Sequence, residues 1–441
     1  MTANMTTASK KFHLAWFTNF VVDEWNEPFS SGGGQPWDGA FFIEFARALE
    51  RACFDYIMLE DTLMVPDTYG GNMKQDLKNT VQTPKHDPAP LAAVLGSLTS
   101  NLGVVATMST LGYPPFLLAR LSSTIDHLAG GRFGWNIVTS GEDHAAQNFG
   151  LDKLPEHDLR YEMADEFMDV VNALFGSWDP DAVVMDYETK TYADHTKVRT
   201  IDFEGKYFKC RGPLNTAPSP QGRPTYVQAG GSPRGRDFAA KHADSIIAVA
   251  NGTEQMKAFR DDVRARAASF GRDPDDIKVL YLFSPIMGET EEEALAKQKR
   301  EMTSQKHIDR ALGLYSGITD IDLSKYDLDK PLPYLTTNGE STSLAKFAQF
   351  GSGKTLRECI IEGGSGTSIQ AVGTPDQVAD IMIGAMEEVG GDGFLIKHPY
   401  HNINRRYILE VTEGLVPALQ RRGAVRTEYT SSTLRGTLRE F

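Results

Sequence analysis

Pro224 to Arg236 reads PTYVQAGGSPRGR, and its residue types could hold a phosphate. A short apolar run, Tyr226 and Val227, enters a Gly230-Gly231-Ser232 turn, and Pro233 onward has the composition of a helix start. Two glycines let backbone N–H groups come close to an anion, and a serine at a helix start adds a hydroxyl. The same residues suit a plain strand-to-helix turn, with Ser232 as the cap and Pro233 in the first helical position. Written Gly230-x-Ser232-x-x-Gly235, the turn is one residue away from a dinucleotide fingerprint. That fingerprint needs an acid at the end of the next strand to hold a ribose, and Asn251 stands there instead. A second anion-facing stretch is LPEHDLRYEMADEF, where Asp158 is placed to cap a helix and His157 and Tyr161 lie four apart on one face. Alone it reads more readily as a capped helix with an exposed histidine. Taken with Ser232 it points to one cradle and a mononucleotide phosphate.

Other chemistries find little support. There is no HExxH and no histidine cluster at ligand spacing, so no metal site is expected. VTSGED lacks the Gly-x-Ser-x-Gly elbow of a serine hydrolase. GSGKT, Gly351 to Thr355, lacks the preceding strand and spacing of a nucleotide-binding loop. Asp61 ends a strand-like run and serves equally as a catalytic base or a cap.

The elements that must position these residues follow from periodicity. Eight apolar strand-like runs alternate with amphipathic segments: FHLAWFTN, DYIMLED, LGVVATMST, RFGWNIVTS, PTYVQAG, ADSIIAVAN, KVLYLFSPIMG and GDGFLIKH. Between them, FFIEFARALERA places Phe42, Phe45, Ala46, Leu49 and Ala52 on one helical face, and FLLARLSSTIDHLAGG is stopped by Gly130 and Gly131. This α/β alternation predicts a (β/α)8 TIM barrel over residues 1–441, in preference to two Rossmann-like halves. Two excursions read as insertions serving as lid or interface: Ser177 to Leu214, with hairpin runs in KVRTIDFEGKYFKC, and Ile308 to Val372, rich in Gly, Ser, Thr and Pro. A barrel puts chemistry at the C-terminal strand ends. Those ends are Asn19, Glu60-Asp61-Thr62, Ser109-Thr110, Thr139-Ser140, Gly230-Gly231-Ser232, Asn251 and Lys397-His398.

Bulk properties narrow the partners. The chain has 441 residues and a net charge of −14, which argues against nucleic-acid or anionic-membrane partners. Three cysteines far apart exclude a disulfide framework. With no evident signal peptide and no apolar run of about 20 residues, the expected setting is the cytoplasm.

Three stretches, LSSTIDHLAGGRFGWNIVTS, NFGLDKLPEHDLRYEMADEF and GPLNTAPSPQGRPTYVQAGGSPRGRDFAAKHAD, together with the tail VPALQRRGAVRTEYTSSTLR, resemble the bacterial-luciferase-like flavin monooxygenases. Within them the chain is similar to the group of nitrilotriacetate monooxygenase component A, dibenzothiophene-sulfone monooxygenase and long-chain alkane monooxygenase. The resemblance runs from about Phe12 to Arg435. It implies a barrel enzyme using O2 and reduced FMN (FMNH2) from a separate flavin reductase, assembled as a homodimer or homotetramer. Residues matching His157, Tyr161 and Ser232 would hold the phosphate, and Asp61, Thr107, Asn136, Thr139 and Ser140 would adjoin the ring. Thr107 and Asn136 resemble residues that seat O2, where a flavin peroxide must be kept from water. In place of the basic stretch carried early by many relatives, this chain has DEWNEPF, which disfavours a polyanionic substrate. Trp16, Phe17, Trp25, Trp37 and Tyr69 could instead wall a pocket for a small planar heteroaromatic substrate, cleaved at C–N or C–S. One of Trp16 and Phe17 must fill the core by alternation. Alternatives are an alkane or aminopolycarboxylate substrate, a non-catalytic flavin-binding protein, and a deazaflavin-dependent relative, which the His157–Tyr161 pattern disfavours.

Overall fold

The computed structural model describes residues 10–20, 39–349, 352–363, 367–399 and 403–441. Eight strands form the frame: β1 (His13–Thr18), β2 (Tyr56–Leu59), β3 (Gly103–Ser109), β4 (Phe133–Val138), β5 (Thr225–Gln228), β6 (Ser245–Ala248), β7 (Lys278–Phe283) and β8 (Gly393–Ile396). They close in the order β1-β8-β7-β6-β5-β4-β3-β2 with every pair parallel, the TIM barrel expected. All eight lie within the predicted apolar runs.

Alternation divides each strand between two cores. Outward residues such as Trp16, Trp135, Tyr226 and Phe394 pack against the helices. Inward residues, among them Ala15, Met58, Val105, Val227 and Leu395, fill the barrel. At its N-terminal end the barrel is closed by the tail: Leu434 and Leu438, from the helix Leu434–Leu438, join that inner cluster. Glycines make the room. A Cβ on Gly103 would stand 2.5 Å from Leu434 Cδ1 and 2.8 Å from the Asp55 carbonyl. Beside this plug, Asp55 accepts from His13 Nδ1 at 2.8 Å, the Leu14 amide at 2.8 Å and Arg426 Nη2 at 2.7 Å. Arg426 also reaches Glu440 at 2.5 Å.

Several local expectations change. The helix His157–Phe175 has Glu156 at its N-cap position. Asp158 is therefore inside the first turn and is not the cap. A helix that periodicity had not singled out, Pro375–Val389, precedes β8 and opens on a capping box from Thr374 and Gln377. The first excursion carries two hairpins, Val183–Asp186 with Thr191–Ala193 and Phe203–Glu204 with Lys209–Cys210, the latter inside the predicted run. The second contains the helices Gln305–Thr319, Ser341–Ala348 and Leu356–Gly363. They bury a satellite core of their own, in which Tyr315 stacks on Phe347 at 3.8 Å between ring centroids.

Candidate active site

At the C-terminal mouth of the barrel two adjoining cavities, about 340 and 380 Å³, share walls from Phe17, Asp61, Asn136, Glu142 and Glu340. The larger runs to the turn after β5. There Ser232 caps the helix Pro233–His242, its Oγ accepting from the Gly235 amide at 3.0 Å. The same Oγ lies 3.3 Å from His157 Nε2, and the rings of His157 and Tyr161 are 5.1 Å apart. Ser232 is thus the helix cap expected of it, and His157, Tyr161 and Ser232 meet as predicted. Asp158 takes a different part, lying 2.7 Å from His157 Nδ1 and fixing that ring.

Gly231 and Ser232 line the cavity, whereas Gly230 serves close packing. A Cβ on Gly230 would stand 2.4 Å from the Gly235 carbonyl oxygen and 2.4 Å from Gln228 Oε1. Gln228 reaches the Tyr161 hydroxyl at 3.5 Å, and its buried Oε1 has no partner. Thr139 and Ser140 border the same space. Ser140 holds φ at 60°, a costly conformation for a side-chain-bearing residue, and its Oγ lies 2.7 Å from Ser109 Oγ.

Thr107 and Asn136 stand opposite one another on β3 and β4. Asn136 Nδ2 donates to Thr107 Oγ1 at 2.9 Å, while Asn136 Oδ1 is buried without a partner. An unpaired buried acceptor is costly unless something donates to it. Acidic groups crowd the rest of the mouth. Burial, helped by Asp87 and opposed by Lys85, raises Asp61 to about 7. Burial and the neighbouring Glu340 raise Glu142 to about 7.

The proposed aromatic wall is only partly assembled. Phe17 faces both cavities. Trp16 borders the smaller one, but its ring points outward and is fully buried against Phe45, Phe54 and Tyr407, so alternation makes it the core residue of the pair. Tyr69 packs on the satellite core of the second insertion and does not line the cavities. Trp25 and Trp37 lie outside the described residues. Leu314, Tyr315 and Ile318 of the insertion supply the wall instead. Sequence reasoning missed them, together with Gln228, Glu142 and Glu340. The i, i+1, i+4 spacing of the three insertion residues was the one available signal. Among the described residues no group of His, Cys, Asp and Glu could hold a metal, and no helix is long and apolar enough to cross a membrane.

A family description, luciferase-like monooxygenase, matches residues 15–393. The chain belongs to that family. This luciferase-like monooxygenase is 38% identical over 410 residues to the dibenzothiophene-sulfone monooxygenase of Rhodococcus erythropolis, covering 91% of this chain and 89% of that one. It is 37% identical over 439 residues to the long-chain alkane monooxygenase of Geobacillus thermodenitrificans, covering 98% and 94%. Its fold superimposes with a TM-score of 0.87 on a riboflavin lyase solved with modified FMN and riboflavin, at 33% identity and covering 98% and 96%. The family makes this chain a flavin-dependent monooxygenase.

Proposed function

We propose that the chain is the oxygenase of a two-component system, taking FMNH2 from a separate flavin reductase and using O2 on a small planar heteroaromatic substrate at a C–N or C–S bond. The observation that carries this reading is the continuity of the two cavities. A phosphate cradle stands at one end, and the Thr107–Asn136 pair stands where the cavities share walls. The donor set suits FMN. His157, Tyr161, Ser232 and the helix N-terminus behind Ser232 offer hydrogen bonds to a phosphate, and the unpartnered Asn136 Oδ1 accepts from a ring N–H. When bound, reduced FMN supplies the electrons that activate O2. The protein's part is to orient the ring against Asp61 and Asn136, to exclude water with Phe17, Leu314 and Ile318, and to offer the Thr107 hydroxyl to developing negative charge. The second insertion acts as the cover of this space, and the assembly is a homodimer or homotetramer working in the cytoplasm. The C–S and C–N options follow from the likeness to the dibenzothiophene-sulfone monooxygenase and the riboflavin lyase; an alkane substrate is the second reading, favoured by the apolar side chains of Leu314, Tyr315 and Ile318.

An anaerobic titration with reduced FMN tests the reading. Ser232→Ala removes one phosphate partner and a helix cap, and affinity is expected to fall about 5- to 20-fold, the effect of one charge-assisted hydrogen bond. Unchanged affinity would remove the cradle from the argument.

The acidic mouth adds a pH dependence. Asp61 and Glu142 are protonated below about 7 and charged above it. Their ionisation repels an anionic flavin, so affinity for reduced FMN is expected to decline as pH rises from 6 to 8. Asp61→Asn should flatten part of that decline, and an unaltered profile in the variant would count against Asp61 as its source.

A further inference from the structure

Lys397 follows directly on strand β8 and lines the smaller cavity. Phe394 and Ile396 pack outward against the helices, and Leu395 points into the barrel, so the next inward position is Lys397. The β1–β8 register pairs Trp16 with Ile396, which sets Lys397 beside Phe17. The surrounding wall joins apolar side chains, Leu282, Leu314, Tyr315 and Ile318, to the carboxyl groups of Glu60, Asp61, Glu142 and Glu340. Lys397 does not line the cavity that holds His157, Tyr161 and Ser232, so it stands away from the phosphate cradle.

Its ammonium makes no hydrogen bond or ion pair among the described residues. Glu60 is the carboxylate that acts on it, but Lys85 already occupies Glu60 at 2.6 Å and also donates to Thr62 at 2.8 Å. Asp61, Glu142 and Glu340 face the same space, yet burial brings the first two to about 7 and pushes Glu340 up as well, so none is a full counter-charge at neutral pH. A cation held in this cavity without an acceptor of its own is costly, and the cost is relieved when a ligand brings the acceptor.

We propose that Lys397 anchors the substrate, donating from its ammonium to an oxygen acceptor, sulfonyl or carbonyl, carried on a planar apolar ring system. The proposal rests on the monooxygenase reading of the cavity and deepens it by naming what the substrate must present. It separates oxygen-bearing heterocycles from plain hydrocarbons, because a hydrocarbon leaves the ammonium unpaired.

Matched probes test it: dibenzothiophene sulfone against dibenzothiophene, and fluorenone against fluorene, titrated anaerobically into the full chain with reduced FMN. Binding of reduced FMN alone is measured on the same samples, so failure of the flavin reading is seen separately. The wild type is expected to bind the oxygenated member of at least one pair about tenfold or more tightly than its parent, as a charged hydrogen bond allows. Lys397→Met keeps the side-chain length and is expected to lose that preference with unchanged affinity for reduced FMN.

Burial lowers Lys397 to about 8. The other titratable groups facing the space are Glu60, Asp61, Lys85, Glu142, Tyr315, Glu340 and His398. As pH rises from 7 to 9.5 the wild-type preference should fade as the ammonium loses its proton. Lys397→Arg should keep the preference across that range, and Lys397→Met should show none at any pH. A wild type that binds the oxygenated probes no better than their parents, or binds neither, overturns the proposal. So does a preference that survives in Lys397→Met, or a loss of reduced FMN affinity in that variant equal to the loss for the probe.

Discussion

Asn136→Ala is expected to lower substrate turnover about 100-fold, the scale on which removing one preorganised polar group from a site of developing charge acts. Asn136 holds Thr107 through a 2.9 Å hydrogen bond, carries a buried, unpartnered Oδ1, and lines both cavities. Alanine removes both features and opens a small void, while the cluster of His157, Tyr161 and Ser232 stays in place. The two ends of the site should therefore separate in measurement. Reduced FMN affinity should change by less than about tenfold, because only one ring contact is lost, while single-turnover oxidation of substrate slows by the larger factor. Thr107→Ser keeps the hydroxyl and should retain most activity. A turnover loss in Asn136→Ala no larger than the change in flavin affinity would show that Asn136 only binds.

The second large effect concerns stability. Arg426→Met should destabilise the fold by about 3–5 kcal/mol, the range for removing one partner of a buried ion pair. Arg426 and Asp55 are both almost fully buried, and the change leaves the Asp55 carboxylate facing only His13 and the Leu14 amide. Burial alone would push Asp55 up, but the charges of His13 and Arg426 hold it below the usual carboxylate range. Because its folded value is depressed, Asp55 contributes stability at pH above its unfolded value, and that contribution disappears as pH falls through the folded value. In Arg426→Met the depression weakens, so acid unfolding should begin at a higher pH. Urea melts between pH 3 and 7 measure both effects, and a loss below about 1 kcal/mol would mean the pair contributes no more than a surface bridge.

The barrel was legible because its signal is redundant. Eight strands buried on both faces leave eight apolar runs, and the polar residue that ends each run marks the rim. The meeting of His157, Tyr161 and Ser232 was legible for a related reason: Ser232 and Pro233 obey local helix-start rules, and His157 and Tyr161 sit at helical spacing. What was hidden depends on tertiary placement. Trp16 and Phe17 are neighbours with equal claims in sequence, and only the register of β1 sends one outward and the other to the mouth. Tyr69 looked like a pocket residue by type, but its neighbours come from a helix more than 230 residues further along the chain. Leu314, Tyr315 and Ile318 were invisible as site residues because their helix is amphipathic in the ordinary way, and nothing local says what its inner face meets. The tail was recognised only by resemblance, while its plugging of the barrel depends on Gly103, far away in sequence.

The satellite core of the second insertion has a consequence for how such an enzyme changes its diet. On the helix Gln305–Thr319, Tyr315 stacks on Phe347 within that core and, together with Leu314 and Ile318, also lines the barrel mouth. Satellite core and pocket wall are therefore one cassette folded around its own hydrophobic centre. Exchanging the cassette between relatives would exchange the surface that meets the substrate and leave β3, β4 and the Ser232 turn untouched. The join is Glu340 to Ser343, which lines both cavities. A graft that redraws those residues would alter flavin and substrate together, whereas one that preserves them would retune the substrate alone.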